Sequence, residues 1–183
     1  PYYRDNELKV LPLMDNDFVY RRTFTAEEAL FDCEEVLLHF DGIDTLADVY
    51  LNGELLGSPC NMHRIWEFEV LNVLKPGENE LKVVIYSPTK YIKEENEKVY
   101  TGGSHECMKG FPHLRKAHCM FGWDWGPRLP DAGIFRDVML LGIKKARFES
   151  VYVTQEHETI RVAEALADKV SKVTLDFDIV LEL

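Results

Sequence analysis

With 183 residues, 46% of them hydrophobic and 11% aromatic, the chain has enough apolar material for one packed domain and a piece of another. Thirty-two acidic residues against 21 basic ones give a net charge of -11, which argues against nucleic acid and anionic membrane surfaces as partners. The longest apolar runs, such as Val83-Val84-Ile85, fall far short of the ~20 residues that cross a bilayer, and the opening PYYRDNE lacks the pattern of a signal peptide.

In chain order, the first two thirds read as short strands separated by turn chemistry. From Asp17 to Thr25 the alternation DFVYRRTFT sets Phe18, Tyr20, Arg22 and Phe24 on one side, and Glu35 to Phe40 (EVLLHF) is a second strand closed by Asp41-Gly42. The stretch ADVYLNGELLG is a hairpin, because Asn52-Gly53 supplies the positive φ values of a two-residue turn. Ile65 to Val70 (IWEFEV) alternates, and the turn residues of Lys75-Pro76-Gly77-Glu78-Asn79 lead into Glu80 to Tyr86 (ELKVVIY). Ser87-Pro88 opens TKYIKEENEKVY, a polar segment of helix formers that predicts two or three exposed turns near 88–99. Phe135 to Ile143 resumes as strand. After Lys144-Lys145, Arg147 to Thr154 and Val173 to Leu183 give two more strands. The pattern is that of an all-β, antiparallel sandwich.

Between Thr101 and Pro130 nothing is periodic, yet the segment holds five glycines, three prolines, three of the six histidines and two of the three tryptophans. A loop this long in a compact domain is usually functional or disordered, and its aromatics argue against disorder. Cys33, Cys60, Cys107 and Cys119 show no CxxC pair and no zinc spacing, so free and mostly buried thiols are expected. No Asn-x-Ser/Thr sequon occurs, and the two features together favour a reducing, cytoplasmic location. His105, His113 and His118 are spaced by eight and five, which puts them on no common face, so neither metal nor other cofactor is expected.

VYRRTF, ADVYLNGELLG, LKPGENELKVVIYSP and LRKAHCMFGWDWGPRLPDAGIFRDV, in that order, resemble the amino-terminal sugar-binding domain of glycoside hydrolase family 2, in its β-mannosidase branch. The hairpin and LKPGENEL are moderately specific, whereas FGWDWGPRLPDAGIFR is strongly so. Phe18 stands where the family often has tryptophan. The resemblance implies a galactose-binding-domain-like jelly roll over residues 1–145, lacking its first strand segment, and the start of an immunoglobulin-like sandwich over 146–183. It also implies a TIM barrel elsewhere in the full-length chain, carrying two glutamates of a retaining mechanism ~5 to 5.5 Å apart. Neither glutamate is in this sequence, so the chain alone is expected to be catalytically inert. The incomplete second domain is expected to leave edges and an apolar face exposed, and either to pair with another copy or to be poorly ordered.

The residues of FGWDWGPR have two readings. In one, Trp123 and Trp125 fill the end of the sandwich and Asp124 caps a turn. In the other, the loop projects toward a sugar, whose C–H faces suit an indole and whose hydroxyls suit a carboxylate. The resemblance favours the second, with Trp123 and Asp124 binding a β-linked mannoside or related sugar in the terminal subsite and Trp125 structural. The function so implied is a non-catalytic amino-terminal part of a retaining exo-β-mannosidase. The alternative is a free-standing, lectin-like carbohydrate-binding module. Among neighbours, Arg115-Lys116 reads as structural, either a solvated face or a partner for some of the 32 acidic residues, and Arg128 and Arg136 read as the side chains that hold the loop.

Overall fold

The computed structural model describes residues 3–162 and 167–182, with side chains described outside 159–171. It divides into two compact units, Pro1–Gly142 and Ile143–Leu183. The first unit begins with a short helix α1 (Asn6–Val10) and a 3-10 turn, then strand β1 (Phe18–Ala26). Strands β2 (Glu35–Phe40), β3 (Ile43–Asp44), β4 (Ala47–Leu51), β5 (Glu54–Gly57), β6 (Trp66–Glu69) and β7 (Gly77–Ile85) follow. Helix α2 (Pro88–Lys98) precedes the long loop, and β8 (Gly133–Ile134) and β9 (Val138–Ile143) end the unit. The second unit is a long hairpin of β10 (Arg147–Val162) and β11 (Ala167–Glu182).

The strands form an all-β sandwich of a four-stranded sheet, β1-β7-β4-β5, and a three-stranded sheet, β6-β2-β9, with β3 and β8 paired separately. Pairing is antiparallel in β1–β7, β4–β7, β4–β5, β2–β6 and β3–β8. Side-chain alternation decides which face is inside. Along β4, Ala47, Val49 and Leu51 are buried and Asp48 and Tyr50 are not, as the two-residue period of a strand requires. These residues meet Val36, Leu38 and Phe40 of β2 and Val83 and Ile85 of β7 in one apolar core. Each such side chain contributes about 1.5–3 kcal/mol of burial free energy. On the β1 side the layers stand apart, leaving a crevice of about 620 Å³ lined by Tyr20, Arg22, Phe24, Leu81, Val83 and Met139. The shared side expected for Tyr20, Arg22 and Phe24 is therefore the crevice side, with Tyr20 still largely exposed.

Two turns lock one end of the four-stranded sheet. The β4–β5 turn is two residues long, with Asn52 at φ 53° and Gly53 at φ 89°, the left-handed values that Asn-Gly tolerates best. Asn52 then bonds across to the turn before β7: its Nδ2 donates to Val73 O and to Asn79 Oδ1, both at 2.8 Å, and its Oδ1 accepts from Glu80 N at 3.0 Å. Asn79 is 1% exposed. It donates to Lys75 O and Gly77 O and accepts from Lys75 N, so both ends of its amide are satisfied. The motifs LNG and LKPGEN thus form one hydrogen-bonded unit.

Helix α2 is capped by Ser87, whose Oγ accepts from Lys90 N at 3.1 Å, and Pro88 occupies the first turn, where its missing N–H costs nothing. The helix buries Ile92 in a second, smaller apolar cluster with Leu114 and Phe121, outside the sandwich core. That cluster is the platform for the long loop. Among the described residues, no helix is long and apolar enough to cross a membrane.

All four cysteines are free, but only Cys107 is buried, while Cys60 and Cys119 are exposed and Cys33 is intermediate. The expectation of mostly buried thiols fails: of the four, Cys107 alone is enclosed, where its thiol bonds Gly122 O inside the loop, while Cys60 and Cys119 face solvent.

Replacing Asn79 by Ala removes one of the two bonds donated by Asn52 Nδ2 and leaves the part-buried Lys75 N–H without its acceptor. The expected loss is about 2 kcal/mol, read as a fall in Tm of roughly 4–8 °C by calorimetry.

Candidate functional site

The loop spanning 101–130 is aperiodic in sequence but densely tied in space. Phe121, fully buried, is its anchor: its ring lies 6.0 Å from Phe111, which in turn meets His118 edge-on at 4.8 Å. Backbone bonds seal the anchor, with Met108 N donating to Phe121 O at 3.0 Å and the Cys107 thiol donating to Gly122 O at 2.8 Å. Gly122 adopts φ 97°, and a Cβ there would lie 2.4 Å from Arg128 Cγ, so both conformation and space demand glycine.

Immediately after this anchor the chain turns outward. Trp123 N donates to Gly126 O and Gly126 N donates to Trp123 O, each at 3.2 Å, a reciprocal pair that holds Asp124 and Trp125 at the corner of a tight turn. The indoles of Trp123 and Trp125 stand 5.6 Å apart at 57°, and Asp124 is exposed between them in sequence. Trp123 is 44% exposed and Trp125 82%.

The expected structural role of Trp125 is therefore corrected. Its ring touches Trp123 and is otherwise largely in solvent, because the reciprocal turn bonds project the corner away from both apolar clusters. The packed aromatic of this motif is Phe121.

Arg128 holds the loop as expected. Its Nε donates to Glu106 O at 2.8 Å, while its backbone N donates to Glu7 Oε1 at 2.9 Å, linking the loop to α1. The Glu106 carboxyl is held below its ordinary range, chiefly by the Ser104 hydroxyl. Arg136 is corrected: it stacks on the adjacent Phe135, 5.3 Å from its ring, and makes no described bond to the loop.

Of the two readings of Lys116 the acid partner is the one met, and the solvated face is corrected: the residue is 1% exposed, and its ammonium donates to Asp44 Oδ2 on β3 and to the carbonyl of Asp131. The second carboxylate oxygen of Asp44 accepts from Thr45 Oγ1. Sequence reasoning missed this site because the partner lies 72 residues away in a segment that reads as an ordinary turn. A lysine followed by small and apolar residues gives no local sign of burial.

The three loop histidines are not brought together. His105 sits beside Glu106 at 3.0 Å, His113 Nε2 bonds Val99 O at 2.8 Å, and His118 packs on Phe111. Among the described residues no group of three potential metal ligands is present. A cleft of about 550 Å³ opens beside Arg128, His105 and Tyr100, but neither it nor the β1 crevice is lined by Trp123 or Asp124. The Trp-Asp tip stands on an open surface, where an indole offers a flat apolar face and the carboxylate offers hydrogen-bond acceptors.

Fold and tip together define a β-sandwich domain that carries an anchored, outward-facing aromatic and acidic loop. The profile of the glycosyl hydrolase 2 galactose-binding domain-like family matches residues 1–136, and the chain belongs to that family. A β-mannosidase of Mus musculus is 36% identical over 149 residues, covering 76% of this chain and 17% of the mouse protein. A solved β-D-mannosidase from Dictyoglomus thermophilum matches with a TM-score of 0.82 at 35% identity, over 98% of this chain and 21% of that one. A β-glucuronidase from Bifidobacterium dentium shares the fold, with a TM-score of 0.64 at 24% identity over 93% of this chain and 28% of its own. The chain thus spans about a fifth of the length of these proteins and is homologous to the amino-terminal domain of family 2 β-mannosidases.

The burial gradient along FGWDWG yields a paired expectation. Phe121→Ala should cost about 3–5 kcal/mol, whereas Trp125→Ala should stay within about 0.5 kcal/mol of the parent, as read by denaturant unfolding of both variants.

Proposed function

We propose that this chain is the non-catalytic amino-terminal part of a retaining exo-β-mannosidase, and that Trp123 and Asp124 line the terminal-sugar subsite of a TIM barrel in the same full-length protein. The observation that carries this reading is the exposed Trp123-Asp124 tip on a loop whose base is otherwise buried. Rigid support with outward aromatic and acidic groups suits a sugar, whose hydroxyls meet the carboxylate while its C–H face meets the ring. The similarity to β-mannosidases supports the substrate class. Trp125, as an apolar ring in solvent, suits a surface that the barrel covers. The lectin reading is disfavoured because Trp123 and Asp124 line neither described cleft, leaving the tip without the walls a self-sufficient sugar pocket needs. Four free thiols suit a reducing, cytoplasmic compartment.

In the full-length enzyme, Asp124→Ala removes a charged hydrogen-bond acceptor worth about 1.5–3 kcal/mol. The expected result is a fall of roughly tenfold to a hundredfold in kcat/KM for an aryl β-mannoside, with Tm unchanged. Unchanged kcat/KM with a lowered Tm would reduce Asp124 to a turn residue.

We also propose that residues 1–145 form the sugar-binding domain and 146–183 the opening of an immunoglobulin-like sandwich. The second unit is two-faced. Val151 and Val153 pair with Ile179 and Phe177, while Tyr152 and Thr154 pair with Asp178 and Asp176 on the opposite face. Val151, Val153, Phe177 and Ile179 are all exposed. A two-stranded hairpin is marginal by itself, so this apolar face suits burial against a second copy when no further strands cover it. Sedimentation of the 183-residue chain should show concentration-dependent association that Phe177→Asp abolishes. A parent chain that stays monomeric at all concentrations would contradict it.

A further inference from the structure

We infer that Lys116 is a positioning residue, its buried ammonium clasping the entry and the exit of the Trp123-Asp124 loop to the sandwich. The inference rests on the sugar-subsite reading only for what the loop serves, not for how it is held.

The ammonium sits at the point where three segments meet. Lys116 lies two residues before the 3-10 turn His118–Phe121 that carries Phe121 inward; its N–H donates to Leu114 O at 2.9 Å, and the preceding Arg115 is fixed by Met62 N donating to its carbonyl at 3.0 Å and by a bridge to Asn61. Asp131, whose carbonyl accepts from the ammonium, lies 15 residues on, where the loop returns. Asp44 belongs to β3, which pairs with β8 directly after that return, Asp44 opposite Gly133. One cation therefore joins residues 116 and 131, which bracket the tip-bearing half of the loop, and the strand beside which the chain re-enters the fold. The Lys116 side chain is 0% exposed and that of Asp44 6%, so water does not compete for these bonds and their geometry is fixed.

An ion pair in such a place is poorly explained as a source of stability, since apolar residues of similar volume serve a core as well or better. Its directional demand is different: the ammonium donates to the Asp44 carboxylate and the Asp131 carbonyl together and balances the carboxylate charge, which an apolar side chain cannot do. Trp123 and Trp125 are exposed and the turn bonds of Trp123 and Gly126 are internal to the tip, so its position is set at its base, by the packing of Phe121, by Arg128 bonding Glu106 and Glu7, and by the Lys116 clasp. Substrate-orienting groups lose effect with displacements near 1 Å, so a tip without lateral packing depends on its base.

The chain holds three tryptophans; Trp66 on β6 donates to Asn61 O at 3.1 Å beside the Asn61–Arg115 bridge, so in 19F NMR of protein labelled with 5-fluorotryptophan its resonance reports the sandwich and the base of the loop, and those of Trp123 and Trp125 report the tip. In the unsubstituted chain the Trp123 and Trp125 resonances should be distinct from each other and from free 5-fluorotryptophan. Coincidence with the free amino acid would overturn the clasp at once. Lys116→Met leaves Asp44 buried without its partner and is expected to lower Tm sharply. The decisive variant is Asp44→Leu with Lys116→Met, which replaces the pair by apolar groups. Its Tm should return to within a few degrees of the parent and its Trp66 resonance should be retained, while the Trp123 and Trp125 resonances broaden or collapse toward the free value. Loop resonances identical to the parent in that folded double variant would overturn the inference. The same double substitution in the full-length enzyme should lower kcat/KM for an aryl β-mannoside at least tenfold. A displaced tip with full activity would leave the clasp standing and remove the sugar-subsite reading.

Discussion

A lysine ammonium withdrawn from water between Asp44 and the Asp131 carbonyl is the constraint on which the upper part of this domain depends. Taking an ammonium and a carboxylate out of water costs several kcal/mol for each ion, and only well-placed partners offset it. Here each has them: the carboxylate accepts from Lys116 and Thr45, and the ammonium donates to two oxygens from different segments. Among the described residues no buried side-chain nitrogen or oxygen lacks a partner. The aperiodic loop is consequently not a free excursion from the sandwich. Its second half, residues 116–131, closes on one buried charge and is pinned between by Phe121.

The loop sorts its aromatics by depth. Phe111 and Phe121 pack on the platform built by Ile92 of α2, and there they take the place that strands fill elsewhere in the fold. Gly110, at φ 82°, permits this approach, since a Cβ there would meet the Ile92 carbonyl at 2.3 Å. Two residues beyond Phe121 the indoles are in solvent. An arrangement with a rigid base and an exposed aromatic and acidic tip is suited to binding rather than to stability, because burial at the base is obtained without the tip.

Much of this was legible in the residues. Two-residue alternation located β1 and β6, and Asn52-Gly53 marked the β4–β5 turn because few residue pairs accept two successive positive φ values. Ser87-Pro88 announced α2 through capping chemistry that acts over three residues. The importance of FGWDWG was visible through its unusual composition and a family resemblance. What composition did not decide was which ring in it packs. Phe121, Trp123 and Trp125 all read as core candidates, and only the turn bonds between Trp123 and Gly126 set two of them facing outward.

The sequence by itself determined those features that arise from neighbours along the chain: strand alternation, tight turns, the helix cap and the acidic, membrane-averse composition. Tertiary structure alone decided the depth of each loop aromatic, the solvent-facing position of Trp125 and the burial of Lys116. The reason is range. Propensity and periodicity act over a few residues, whereas the environment of Lys116 is made by Asp44, 72 positions earlier, and Asp131, 15 positions later. A charge reads as solvated until the fold supplies the oxygens that replace its water.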